Sequence, residues 1–157
     1  MQPDYDEPRY LPNVVAKVTG VPLATLRNWE REGRELIRRE PGRKYTFRRA
    51  LQVAITGALV QLGVRTEFAA RVALHFTDFG PGPIGKRPAR QPGRLFADGW
   101  TVICVYGGEV FDVKNVMPNT DAAELFTPLG HGRSDAATLL NVTFMLQRLW
   151  DRLEGRL

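Results

Sequence analysis

A break at Gly20 and Pro22 between two short helical segments is the feature that most constrains how this chain folds. Apolar side chains recur at helical spacing from Asn13 to Thr19, and Gly20 ends that segment because glycine readily adopts the left-handed conformation found after helices. Pro22 suits the first turn of a second helix, which is predicted to run to about Glu32. Two short helices joined by a tight, glycine-containing turn predict a helix-turn-helix.

The sequence that follows the helix-turn-helix, within the first half of the chain, predicts a wing and two longer helices. Residues 34–46 end in β-prone side chains after a proline–glycine pair, which indicates a small hairpin or wing. The apolar pattern of residues 48–62 predicts a third helix with a broad buried face, and a fourth is expected over about residues 66–76. The first ten residues are expected to form a loose arm.

The second half predicts a separate small module. Residues 80–94 contain four prolines and four glycines, which is typical of a linker or an extended basic strap. A hairpin is expected over residues 100–113, and a closing helix from Ser134, a good N-cap, to about Glu154. The fold class is therefore mainly α with a small β component. The predicted domains are residues 1–79, the linker 80–94, and an α+β module over 95–157.

The charge distribution separates the two halves of the chain. The formal net charge is +5. Residues 27–49 contain nine basic and four acidic side chains, whereas residues 95–157 contain five basic and eight acidic ones. A basic first half predicts binding to a polyanion, and the acidic remainder indicates a different role.

Two segments, residues 10–33 and 43–73, contain a series of motifs in a fixed order. These motifs are Ala16, Thr19-Gly20-Val21, Thr25-Leu26-Arg27, Trp29-Glu30, Gly33, Arg43-Lys44-Tyr45 and Leu62-Gly63. In this order they resemble the N-terminal DNA-binding domain of the MerR family of regulators. The resemblance covers about residues 9–79 and implies a winged helix-turn-helix of four helices and a wing.

The resemblance and the chemistry of the second helix indicate the same DNA-binding residues. A helix that enters the major groove needs polar side chains near its N-terminus, and arginine and asparagine suit contacts with guanine and adenine. By resemblance, Leu26 and Trp29 anchor this helix to the core, and the wing contacts phosphates. The candidate DNA-binding residues are Thr25, Arg27, Asn28, Arg31, Arg38, Arg39, Arg43, Lys44 and Tyr45.

The strap occupies the place where MerR-like regulators usually have a long dimer-forming helix. A homodimer is still expected, and the closing helix offers the best candidate surface. Its stripe, at alternating spacings of three and four, is Leu139, Val142, Leu146, Leu149 and Leu153. The same stripe could instead pack on the hairpin, with Phe144 and Trp150 filling gaps, and both arrangements can hold together. A protein partner for the second module is a further possibility.

Other function classes have little support. The single cysteine, Cys104, lies in an apolar run and is expected to be a buried hydrophobe, and no metal site or cofactor is predicted. His75 lies on an apolar helix. His131 lies near Ser134 and Asp135 in a glycine-rich loop, where proximity in the sequence is not the geometry of a catalytic triad, so the protein is not expected to be an enzyme. No apolar run is long enough to cross a bilayer, and the polar start indicates a cytoplasmic protein.

The sequence therefore predicts a dimeric, sequence-specific transcription regulator of bacterial or phage type that binds double-stranded DNA. Its expected location is the cytoplasm, at the nucleoid. The alternative is an architectural or packaging protein, similar to an excisionase or a phage terminase small subunit. Such a protein could use the basic strap to clamp bent DNA. The two are distinguished by the DNA target.

Overall fold

The computed structural model describes residues 4–31, 36–37, 44–85, 87–107 and 109–156. Its elements combine five α-helices with one short sheet and a 3-10 helix. In chain order they are α1 (Pro12–Thr19), α2 (Leu23–Glu30), α3 (Phe47–Gln61), α4 (Thr66–Asp78), β1 (Trp100–Tyr106), β2 (Val110–Val116), the 3-10 helix (Ala122–Phe126), β3 (Thr138–Asn141) and α5 (Val142–Leu153).

The four predicted N-terminal helices are all present, with ends within a few residues of those expected. The side chain of Thr46 caps α3 by accepting a hydrogen bond from the Arg49 N–H at 3.1 Å. Along α4, Phe68, Val72 and Phe76 are buried against α3, as their four-residue spacing predicted. These two helices form the centre of the hydrophobic core.

The sheet contains three antiparallel strands in the order β2-β1-β3. The predicted hairpin is confirmed, and β2 continues to Val116, three residues beyond the predicted end. Side chains alternate between faces along β1: Ile103 points to the main helical core, whereas Cys104 lies in a smaller cluster on the other face. The thiol of Cys104 is fully buried, as expected, and burial raises its pKa to about 11.

The prediction of one helix from Ser134 to Glu154 was wrong at its start. Residues 138–141 form strand β3, in which Leu140 lies opposite Ile103 and contributes to the core. The helix begins only after Asn141, whose side-chain oxygen accepts a hydrogen bond from the Phe144 N–H at 3.2 Å. The apolar residues before the cap fitted a helical period by coincidence, because in the structure they belong to a strand that pairs with β1.

Residues 80–94 do not form a solvated tether where the structure describes them. Arg90 is 3% exposed, and its guanidinium donates hydrogen bonds to four backbone carbonyls at 3.0–3.1 Å. Two of these carbonyls, on Phe76 and Phe79, belong to the C-terminal end of α4. Arg90 therefore fastens the strap to this helix, whose carbonyls favour a positive charge.

The N-terminal segment is also packed rather than loose. Tyr5 is 3% exposed, and its ring meets Phe47 edge-on at 5.0 Å. Arg94 of the strap lies 3.7 Å from the Tyr5 ring centroid, so the arm and the strap contact each other. The prediction of a loose arm failed because Tyr5 supplies an apolar face that two neighbouring arginines cover.

One hydrophobic cluster includes residues from both halves of the chain. Val142, Leu149 and Trp150 from α5 belong to the same cluster as the helices of the first half. The Trp150 ring meets that of Phe47 at 5.6 Å. None of the helices that the structure describes is long and apolar enough to cross a membrane.

Candidate nucleic-acid interface

The turn between α1 and α2 holds the second helix at a fixed angle. Gly20 has a φ of 75° and donates its N–H to the carbonyl of Ala16 at 3.0 Å, which closes α1. The Thr19 hydroxyl donates to the Val15 carbonyl at 2.7 Å and accepts the Val21 N–H at 3.4 Å. These local bonds close α1 and shape the turn that leads into α2.

The two faces of α2 have opposite character. Leu26 is fully buried and Trp29 is 5% exposed, so this face anchors the helix to the core as predicted. Arg27 is exposed, Asn28 is half-buried, and Arg31 directly follows the helix as an exposed residue. Arg27 and Asn28 are neighbours on the part of the helix that is not buried, and Arg31 follows the last residue of α2. Thr25 is also half-buried.

The guanidinium groups of Arg27 and Arg31 have neither a hydrogen bond nor an ion pair within the described ranges. Other arginines near this domain form ion pairs with carboxylates. Arg48 donates to both carboxylate oxygens of Asp6 at 2.7 and 3.0 Å, which lowers the pKa of Asp6. Arg49 is buried and binds both oxygens of Asp78 at 2.8 Å. Arg27 and Arg31 are therefore exposed without a partner among the described residues, whereas Arg48 and Arg49 take part in ion pairs within the fold.

The segment predicted to form a wing, residues 34–46, is only partly described. Lys44 is exposed, whereas Arg38, Arg39 and Arg43 lie outside the described residues. Tyr45 forms an antiparallel bridge with Tyr10: the Tyr10 N–H donates to the Tyr45 carbonyl at 3.0 Å. The Tyr45 side chain is fully buried. The Tyr45 ring therefore lies in the core beside Tyr10, and a DNA contact from this residue stays a prediction.

The proposed partner stripe faces inward along most of its length. Val142 is fully buried and Leu149 is 3% exposed, which leaves neither available to another chain. Leu146 and Leu153 are partly buried and pack on the same core. Leu139 differs, since it lies on β3 and is 42% exposed. Internal packing accounts for the buried face of α5 and for Trp150, with contacts that extend from β1 to α1 and α3, whereas Phe144 was expected to fill a gap and is instead 54% exposed.

Sequence reasoning missed how α5 supports the first helix of the motif. The Tyr10 hydroxyl, just before α1, donates to Glu154 at 3.3 Å. The Arg152 side chain donates to the carbonyl of Val18, in the last turn of α1, at 3.1 Å. No local sequence signal predicts these bonds, because they join residues more than 130 positions apart.

Residues 10–74 match the family model described as MerR HTH family regulatory protein. Neither a curated protein nor a solved structure matches the chain. The matched segment begins at Tyr10, contains the whole of α1, α2 and α3, and ends within α4, in agreement with the resemblance carried by the sequence motifs. Residues 10–74 of this chain are thus a helix-turn-helix domain of the MerR type.

Proposed function

We propose that the protein is a sequence-specific transcription regulator that binds double-stranded DNA as a dimer. The observation that carries the proposal is the outer face of α2, where Arg27 and Arg31 are exposed and unpaired within the described residues. The opposite face, with Leu26 and Trp29, is held in the core. A helix fixed in this way presents polar side chains to a major groove without rearrangement.

The side chains divide into those that read bases and those that hold the backbone. Arg27 suits a bidentate contact with guanine and Asn28 with adenine, because each matches the donor and acceptor pattern of that base. Thr25 lies one turn before Asn28 and suits contacts with either base. Arg31 and Lys44 suit phosphate contacts, which fix the register of the protein on DNA. Arg38, Arg39 and Arg43 are proposed as further phosphate contacts from the sequence alone.

Fluorescence anisotropy tests this proposal directly. The protein is titrated onto DNA from just upstream of its own gene and onto scrambled DNA, from low to high salt. Preference for the native sequence with a steep salt dependence is expected. In Arg27→Ala, affinity falls and preference weakens, and the slope of log K against log salt decreases by about 1 if the arginine also neutralises a phosphate.

Arg133→Ala is the matched control, since Arg133 is exposed in the second half and has no partner among the described residues. It should bind both DNAs as the unmodified protein does. Equal, salt-sensitive binding to both DNAs would support an architectural or packaging role instead. Absence of binding at low salt would show that the motif does not bind DNA at all.

The architectural alternative rested on a basic strap free to clamp DNA. Arg87 instead donates to Asp112 at 2.8 Å, and Arg90 is buried against α4. The strap arginines are therefore used inside the molecule, which favours the regulator. A regulator of this kind acts in the cytoplasm, at the nucleoid.

A further inference from the structure

A pair of large aromatic rings lies on the surface of the second half. Trp100 is 49% exposed, Phe144 is 54% exposed, and their ring centroids are 5.4 Å apart. Met117, 38% exposed, lies against Gly99, the residue before Trp100, because a Cβ at Gly99 would lie 2.6 Å from its sulfur. We call Trp100, Met117 and Phe144 the aromatic surface. Grouped exposed apolar side chains of this size are typical of interaction sites.

The aromatic surface is rigid before anything binds it. Trp100 begins β1 and pairs with Val116 across the hairpin. The first turn of α5, which carries Phe144, is held by the Asn141 cap and by a hydrogen bond of 2.9 Å from the Thr101 N–H to the Thr143 hydroxyl. A partner would therefore lose little free energy to ordering this surface.

Two unpaired charges of opposite sign flank the rings. Asp98, two residues before Trp100, and Arg148, one helical turn after Phe144, are both exposed. Neither has an ion pair or hydrogen bond from its side chain within the described part of the chain. A surface that carries both an acid and a base can be complementary to itself, because a two-fold axis can bring each charge next to its opposite.

We propose that a second copy of this chain covers the aromatic surface, with Asp98 of each protomer paired to Arg148 of the other around a two-fold axis. The inference rests on the proposed function, in which two copies act together on DNA. A second copy accounts for both the exposed rings and the presence of one unpaired acid and one unpaired base beside them in the sequence.

The neighbouring edge strand enlarges this surface. The half-exposed rings supply roughly 200 Å² per protomer, against the ~800 Å² per partner typical of a stable interface. Within the described residues β3 is paired only to β1, and it carries the exposed Leu139. The outer strand β2 differs, because Arg87 donates to the Val113 carbonyl at 3.3 Å. Strand β3 therefore supplies the available sheet edge that extends the interface.

Sedimentation equilibrium of the full chain tests the proposal. A monomer–dimer equilibrium is expected over a roughly hundred-fold range of concentration. Phe144→Ser should raise the dimer Kd about a hundred-fold, since both halves of the interface lose the ring. Phe79→Ser is the matched control: Phe79 is 57% exposed and also stacks on an aromatic ring, that of His75, yet lies outside this surface. Its dimer Kd should not change.

Charge exchange gives a second test that does not alter the rings. Asp98→Arg and Arg148→Asp should each raise the homodimer Kd about ten-fold, because like charges then face each other. Mixing the two variants should recover a heterodimer near the original affinity, since both ion pairs are re-formed with reversed sign. Independent failure of both variants, without recovery on mixing, would overturn the two-fold arrangement.

Binding to a short duplex carrying one recognition site separates this inference from the proposed function. When that site is the half-site of one protomer, Phe144→Ser should keep its affinity for the duplex, because α2 is unchanged. If the unmodified chain is monomeric at every concentration, with and without DNA, the interface is disproved while DNA binding stands. If it dimerises through this surface but binds no DNA, the interface stands and the proposed function fails.

Discussion

At the scale of single residues, the position of the turn between α1 and α2 depends on a glycine in α3. A Cβ at Gly57, in α3, would lie 2.6 Å from Cγ2 of Val21. Val21 is 5% exposed and β-branched, so its methyl group has little room to move. The absence of a side chain at Gly57 lets the turn between α1 and α2 rest directly on α3.

The effect of Gly57→Ala on the free energy of unfolding should change sign with the residue at position 21. In the unmodified chain we expect it to lower the free energy of unfolding by about 1 kcal/mol, because overpacking exceeds the gain in helix propensity. In a Val21→Ala background the same substitution should stabilise by up to ~1 kcal/mol, since the clash is gone. Urea unfolding of the four proteins measures the difference. Equal effects in both backgrounds would contradict the contact.

The buried thiol predicts a loss of stability in alkali. Burial raises the pKa of Cys104 to about 11, above the ordinary thiol value near ~8.5. Because the folded pKa is the higher one, its contribution is complete below the unfolded pKa and is lost as pH rises through the folded pKa. Between about pH 9 and 11 the unmodified chain should lose up to ~2 kcal/mol more than Cys104→Ala. Urea unfolding across that range measures the difference, and parallel curves would exclude a buried thiol.

At the scale of secondary structure, helices that follow one period over two or more turns were predicted correctly from the sequence. The ends of α3 and α4 and the hairpin agree well, because their apolar patterns reflect burial on one face. Strand β3 was missed because Leu139 and Val142 fit a helical spacing, whereas the pairing of Leu140 with Ile103 is a tertiary choice. The face of α2 was predictable from residue types, while the buried position of Tyr45 depends on its bridge to Tyr10.

The true start of α5 can be tested through its cap. Asn141→Ala should lower the free energy of unfolding by about 1 kcal/mol, because the Phe144 N–H loses its acceptor. Ser134→Ala is the control. Its hydroxyl donates to the Ala136 carbonyl in an exposed loop, so a change within about 0.5 kcal/mol is expected. Thermal unfolding followed by circular dichroism compares them, and a larger effect at Ser134 would restore the longer helix.

At the scale of the whole molecule, the two halves share one core. Phe47 of α3 contacts Trp150 of α5, and Ile103 of β1 belongs to the same cluster. Residues on both sides of the predicted domain boundary at about residue 80 therefore pack in one hydrophobic cluster. Charge and composition changed there, but neither property reports which side chains meet in the core.

This shared core predicts one cooperative unfolding transition. Urea unfolding followed by tryptophan fluorescence and by far-ultraviolet circular dichroism should give coincident curves, as two-state behaviour requires. Trp29 and Trp150, from opposite halves, both contribute to the fluorescence. A shortened chain of residues 1–94 should lose most of its stability, because it exposes the Phe47 contact with α5. Two separated transitions, or a stable short chain, would show that the halves fold independently.

The bonds from α5 to the two ends of α1 limit how this domain can be exchanged between proteins. Tyr10 and the Val18 carbonyl both depend on the last helix, through Glu154 and Arg152. A chimera that joins the DNA-binding segment to a foreign C-terminal half would leave the first helix without either support. In this protein the DNA-binding segment therefore cannot be moved to another protein by itself, and a chimera must include α5.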